Sequence, residues 1–177
     1  MITGSMYAGK TTMLLNILIN RQNYQTIVFK HAADTRYSAN SEIITNGGLS
    51  FPCVRSTDLS MDIVTYGRVS TIAVDEGQFF PNLQEKVEQQ WAACGKEVII
   101  TAVKTDCFMQ PLKPIALLIA AAEKVTVLNS VCSSCFGEAA YTYRLTPFPE
   151  ELEPSDVGFF LDNGSDYLPH CRRCFLK

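Results

Sequence analysis

From Met1 to Leu128, two hydrophobic periodicities alternate along the chain. Met1–Thr3 is a clipped apolar run that ends in a glycine-rich turn. After it, from Thr11 to about Arg21, Met13, Leu14, Ile17 and Leu18 fall on one helical face. Thr26–Lys30 and Thr71–Val74 are apolar runs of strand length, the second ending in Asp75-Glu76. Leu83, Val87, Trp91 and Cys94 return to helical spacing, with Gly95 placed as a C-cap. Glu97–Val103 reads as a strand, Ile115–Ala122 as a short helix and Val125–Leu128 as a further strand. Near-continuous apolar strands alternating with helices predict an α/β fold: a parallel sheet covered by helices on both faces.

The character changes after Asn129. The segment that follows has no long helical period, and it contains two close cysteine pairs. The expected division is therefore 1–129 as the α/β domain and 130–177 as a small metal-stapled lobe. Within the lobe, Tyr141–Leu145 and Val157–Leu161 are expected to pair as a hairpin around the Pro- and Glu-rich loop Thr146–Ser155.

Composition narrows the function. Of 177 residues, 47% are hydrophobic, which excludes a disordered chain. Fifteen basic residues against eighteen acidic ones give a net charge of −3, with no Lys/Arg run. That disfavours a nucleic-acid partner, since duplex binding gains from basic stripes that displace counterions. The longest apolar run, Ile115–Ala122, is too short to span a bilayer, so no membrane association is expected. Met1 leads into Ile2-Thr3-Gly4 with no signal-like stretch, so a cytoplasmic location with reduced thiols is expected. Of the seven cysteines, Cys53, Cys94 and Cys107 stand alone and read as core or loop residues.

Three motifs carry chemistry. Gly4-Ser5-Met6-Tyr7-Ala8-Gly9-Lys10-Thr11 fits G-x-x-x-x-G-K-[ST] between a strand and an amphipathic helix. Its glycines let backbone N–H groups turn inward around phosphate oxygens, and the helix N-terminus adds partial positive charge. Lys10 is expected to reach the β- and γ-phosphates, and Thr11 to ligate Mg²⁺. Asp75 follows an apolar strand, where such proteins hold Mg²⁺ through its water shell, which leaves Glu76 to accept a proton from an attacking hydroxyl. Cys132-x-x-Cys135 and Cys171-x-x-Cys174 suit a closed tetrahedral Zn²⁺ site of structural type, with a long loop tied down between the pairs. Redox-active pairs are the rival reading, and His170 reads as a neighbour of the site rather than a ligand. Arg36, in the polar loop Asp34–Ser38, could bridge phosphates, but taken alone it reads as a solvated loop arginine, and Phe79, Phe80 and Tyr167 likewise read as packing residues by default.

Together these blocks resemble the type II thymidine kinases, the cytosolic and viral family. The stretches that carry the resemblance are GSMYAGKTT (Gly4–Thr12), KHAADTRYS (Lys30–Ser38), VDEGQFF (Val74–Phe80) and EAAYTYRL (Glu138–Leu145), with the cysteine pairs framing the last. The resemblance implies transfer of the ATP γ-phosphate to the 5′-hydroxyl of thymidine or deoxyuridine, as in nucleotide salvage. By its match, Glu76 is the general base, Asp75 the Mg²⁺-linked acid and Arg36 the arginine near the transferred phosphate. Gly4 to Thr12 and Asp34 would hold ATP. Met6, Gln78, Phe79 and Phe108 would line the base pocket. A loop called the lasso would close over the nucleoside with Phe160, Leu161, Asp162, Asn163 and Gly164, and Tyr167 would cap it. A homotetramer and feedback inhibition by thymidine triphosphate are further family expectations.

One stretch departs from the family. Where members often read Leu-Asp-Gly-Thr-Phe-Gln, this chain reads Val103-Lys104-Thr105-Asp106-Cys107-Phe108. The base-stacking aromatic falls on Cys107, so either a backbone shift brings Phe108 in or the pocket lacks one wall. Two other functions fit some of the same residues: a P-loop ATPase whose zinc lobe binds nucleic acid, and a non-catalytic sensor of thymidine nucleotides. Small size and the lack of a basic face count against the first, and retention of Lys10, Asp75 and Glu76 against the second.

Overall fold

The computed structural model describes residues 1–20, 25–34, 41–45, 47–60, 68–146 and 166–177. Strands β1 (Ile2–Gly4), β2 (Thr26–His31), β5 (Val54–Ser56), β6 (Thr71–Asp75), β7 (Glu97–Ala102) and β8 (Thr126–Leu128) form one sheet in the order β5-β2-β6-β7-β1-β8. Every pairing in it is parallel, as the apolar strand runs predict. A short antiparallel hairpin, β3 (Glu42–Ile44) with β4 (Ser50–Pro52), precedes the edge strand β5. These three elements escaped the sequence reading because each is only three residues long and too brief to show a period.

Strand alternation sends side chains into two cores. Ile72 and Val74 of β6, Phe29 of β2 and Ile100 of β7 pack with Phe80, Leu83, Trp91, Ile115 and Leu118. This is the face covered by α2 (Leu83–Glu85) and α3 (Lys113–Ala121). On the opposite face, Val28, Ala73, Ile99 and Ile2 pack against Leu14, Leu15 and Leu18 of α1 (Lys10–Asn20). The buried stripe of α1 includes Leu15, with Met13 and Ile17 only partly covered, so it is rotated from the expected face. The segment expected as one helix up to Gly95 starts as α2 and continues as a wide π-helical turn, Lys86–Trp91. Gly95 closes it at φ 69°, the left-handed cap that glycine adopts at least strain.

Gly4 shows how tightly β1 fits. It pairs with Leu128 of β8, and a Cβ there would lie 2.1 Å from the Leu128 carbonyl oxygen. Replacing Gly4 with Ala forces β1 and β8 apart just where the Gly4–Lys10 turn leaves the sheet. We expect that variant to lose at least ~2 kcal/mol of stability, seen as a lower urea midpoint at unchanged slope. An unmoved midpoint would mean that the strands separate freely.

The C-terminal segment has strands β9 (Ser130–Val131), β10 (Glu138–Ala139), β11 (Tyr141–Arg144) and β12 (Tyr167–His170), then α4 (Arg172–Phe175). β11 does form an antiparallel pair, but with β12, in the register Tyr141↔His170 to Arg144↔Tyr167. The expected partner, Val157–Leu161, lies outside the described residues. Clustering of the two cysteine pairs explains the difference, because it brings the strand that ends at His170 alongside Tyr141.

Candidate active site

The strand order and the turn after β1 gather the candidate residues at the C-terminal edge of the sheet, on the side of α1. Gly4, Tyr7 and Gly9 all have positive φ, which winds the Gly4–Lys10 turn tightly around its own amides. Lys10 is 5% exposed, and its ammonium donates to the Ser5 carbonyl at 3.0 Å. Thr11, the next residue, places its hydroxyl 3.1 and 3.2 Å from the two oxygens of Asp75. That contact joins the first turn of α1 to the end of β6 across 64 residues of sequence. Hard oxygen donors in this arrangement suit Mg²⁺ held partly through water. Burial, then the adjacent Glu76 charge, raises the Asp75 carboxyl to about 6, opposed by hydrogen bonds from Thr101 and Thr11 and by Lys10.

Glu76 follows in the left-handed region, φ 51° and ψ 50°, an uncommon conformation for a residue with a side chain. It carries the chain out of the strand into the short turn Gly77–Phe79. The Glu76 carboxylate accepts from Gln78 Nε2 at 2.6 Å, and Gln78 Oε1 in turn accepts from the Val103 amide at 3.3 Å. Thr101, fully buried on β7, donates to Asp75 Oδ1 and accepts from the Glu76 amide at 3.0 Å. One hydroxyl thus ties down both acidic residues. Thr101 went unnoticed in the sequence, although it is the one hydroxyl residue in an otherwise apolar run, one register step beyond the Val74↔Ile100 pair.

Three contacts from the C-terminal segment hold the Gly4–Lys10 turn. Ser5 Oγ donates to the Ala139 carbonyl at 3.0 Å, the Met6 amide to Thr142 Oγ1 at 3.1 Å and Ser130 Oγ to the Tyr7 carbonyl at 3.3 Å. They span 123 to 136 residues, so no local pattern could have revealed them.

The four thiols of Cys132, Cys135, Cys171 and Cys174 lie within 4.8 Å of one another. A tetrahedral Zn²⁺ with ~2.3 Å bonds needs sulfurs ~3.8 Å apart, and Cys135 and Cys171 already stand at 3.6 Å. Two turns present them: one closed by Cys132 N to Gly137 O at 2.7 Å, the other the N-cap of α4, where Cys171 Sγ accepts from Cys174 N. The donor set therefore fits a structural zinc. His170 faces away to Ser134 Oγ at 3.0 Å, as a neighbour of the cluster.

The aromatic candidates are less uniform. Phe79 is partly buried beside the His31 ring at 6.0 Å. Tyr167 is 7% exposed, its hydroxyl accepts from Arg144 at 2.6 Å, and that guanidinium also lies over its ring. Asp106 caps a turn by accepting from the Phe108 and Gln110 amides, which leaves Cys107 partly buried and Phe108 52% exposed. Lys104 reaches over the Tyr141 ring at 6.0 Å. Asp34 is 3% exposed, whereas Arg36 and Phe160 to Gly164 lie outside the described residues.

The family profile described as thymidine kinase matches residues 1–175. The human cytosolic thymidine kinase is 37% identical over 99% of this chain and 72% of its own length. The thymidine kinase of myxoma virus is 35% identical over 99% of this chain and 94% of its own, and thymidine kinase 1 of Dictyostelium discoideum 33% identical over 98% and 75%. Among the described residues, no helix is long and apolar enough to cross a membrane.

Proposed function

The chain belongs to the thymidine kinase family, and we propose that it transfers the ATP γ-phosphoryl group to the 5′-hydroxyl of thymidine with the residues gathered at the ends of β1 and β6. The observation that carries this reading is the meeting of Thr11 with Asp75 beside buried Lys10, with Glu76 next along the chain. Lys10 and the inward amides of Gly4 to Thr12 neutralise the triphosphate, with Asp34 and Arg36 at its edge. Thr11 and Asp75 would hold Mg²⁺, which would supply neutralisation of the phosphate charge. Glu76, steadied by Gln78, takes the proton of the 5′-hydroxyl as that oxygen bonds to the γ-phosphorus. The bond to the bridging oxygen breaks, and ADP leaves with its electron pair. Phosphoryl transfer asks mainly for in-line placement and charge neutralisation, and this arrangement offers both.

The base would sit among Met6, Gln78, Phe79 and Phe108. The loop that carries Phe160, Leu161, Asp162, Asn163 and Gly164 would cover the nucleoside, capped by Tyr167. Closure would keep water from taking the phosphate. In this reading residues 1–129 carry the phosphate chemistry, and 130–177 form a lobe stapled by zinc on Cys132, Cys135, Cys171 and Cys174. A homotetramer, feedback by thymidine triphosphate and a cytoplasmic location belong to the same proposal. A nucleic-acid-stimulated ATPase is not favoured, because the family profile and the relatives named above, each matching nearly the whole chain, are thymidine kinases.

The test is ADP release from ATP and Mg²⁺ with thymidine, deoxyuridine, deoxycytidine, deoxyguanosine or no acceptor. Thymidine-dependent release is expected, and the ranking of bases reads how Cys107 and Phe108 shape the pocket. Release that no nucleoside raises would overturn the reading, and stimulation by DNA would replace it with the ATPase.

A further inference from the structure

Lys30 lies in β2, is 2% exposed and ranks among the largest fully buried side chains. Alternation settles which way it faces. Val28, two residues earlier, packs in the α1-side core, whereas Phe29 packs in the opposite one. Lys30 therefore shares the α1 face with Asp75, its Cα partner on the adjacent parallel strand, about 4.8 Å away. Yet its ammonium forms no hydrogen bond or ion pair with another described residue.

Among the described residues no acid forms an ion pair with it, although Asp75 stands at the paired register position. The Asp75 carboxylate is engaged by Thr11 and Thr101. On the other flank the Cα partner of Lys30 is Arg55, a second cation, whose guanidinium is bonded to the Ala32 carbonyl. The Cys53 thiol is pushed up to about 11 by burial, against the pull of the Lys30 charge, so it stays neutral. A lysine this buried with no ion pair to a described residue is costly, and proteins rarely keep one that binds nothing.

Strand order says which anion it serves. Across the C-terminal edge run β1 with the phosphate-binding turn, then β7, then β6 with Asp75, then β2 with Lys30. Lys30 thus stands on the far side of Asp75 from the Gly4–Lys10 turn, at the register step where β6 ends and Glu76 follows. We propose that the Lys30 ammonium is a binding group for the phosphoryl oxygens in transit, holding the γ-phosphate of ATP and then the phosphate of the nucleoside monophosphate. This site rests on the kinase reading above and adds to it a second lysine, on the far side of Asp75 from Lys10.

The test replaces Lys30 with Met, which keeps the length and apolar stem while removing the charge, and with Gln as a second neutral variant. Binding of a non-hydrolysable ATP analogue, ADP and thymidine monophosphate is measured with Mg²⁺, alongside unliganded Tm and kcat. The expected result is at least ~10-fold weaker binding of the analogue and of the monophosphate, ADP within about twofold of the parent, and Tm not lowered. Analogue and ADP binding weakened equally, or a lowered Tm with all three affinities unchanged, would make Lys30 a purely structural residue and overturn the proposal. The two readings fail separately: a parent protein without thymidine-dependent turnover removes the kinase reading, whereas the difference between ATP analogue and ADP still tests the lysine.

Discussion

Replacing Glu76 with Gln lowers kcat for thymidine phosphorylation at least ~10²-fold while ATP binds as before. The expectation rests on how Glu76 is held. Its amide is fixed by Thr101, its carboxylate receives the Gln78 side-chain amide at 2.6 Å, and Gln78 is anchored by Val103. A glutamine is isosteric, and its carbonyl oxygen can accept the same hydrogen bond, so the local geometry survives. What it loses is the ability to take a proton from the 5′-hydroxyl. The nucleotide contacts proposed for Lys10 and Thr11 do not pass through the Glu76 side chain, so the loss falls on kcat rather than on the KM for ATP. Steady-state kinetics with both substrates varied makes the measurement, and near-normal turnover would assign the base elsewhere. Glu76 also sits in a left-handed conformation that a side chain adopts only under strain, as residues at working sites often do. A stability gain on replacing Glu76 with Gly, accompanied by lost activity, would fit that picture.

Removing zinc is expected to have the largest effect on the protein as a whole. Metal analysis should find about one zinc per chain, matching one cluster of four thiols within 4.8 Å. A structural site of this kind contributes folding free energy directly, on the order of 10 kcal/mol in small zinc modules. Here the consequence reaches the Gly4–Lys10 turn, because Ala139, Thr142 and Ser130 of the same segment hold Ser5, Met6 and Tyr7. Without the metal, β9 to β12 keep only their two short antiparallel pairings and a few side-chain contacts, and the Gly4–Lys10 turn loses its three hydrogen bonds as they loosen. Chelation, or Cys174→Ser, should therefore lower Tm, weaken ATP binding by ~10-fold or more and abolish nearly all turnover. Re-addition of Zn²⁺ to the chelated protein should restore all three. Zinc-free protein that keeps its Tm and its ATP affinity would show that the thiols are not a staple and return the cysteines to a redox role.

Much of the site was legible because its motifs are local. The spacing of Gly4, Gly9, Lys10 and Thr11 encodes a backbone shape within a single turn, and the apolar run ending at Asp75 encodes a strand and its edge. Each needs only neighbouring residues to be recognised. The cysteines were legible for a different reason: each CxxC pair is local, and thiolate chemistry implies that the two must meet. The shorter elements were not legible, since β3, β4 and β5 carry three residues each and gain their stability from partners rather than from propensity. The π-helical turn at Lys86–Trp91 is a tertiary choice of the same kind, made while Leu83 and Trp91 are buried in the core.

By itself, then, the sequence determined the parallel α/β sheet, the tight glycine turn before α1, the acidic pair at the end of β6 and the two cysteine pairs. All of these follow from residue type at short range. The tertiary structure decided which strand closes against β11, which hydroxyl braces Asp75 and Glu76, what grips the Gly4–Lys10 turn, and that Lys30 lies buried beside Asp75. Those outcomes depend on register between strands far apart in the chain, where a shift of one residue turns every side chain to the other face. No local pattern encodes such a register, because it is set by the packing of the whole sheet.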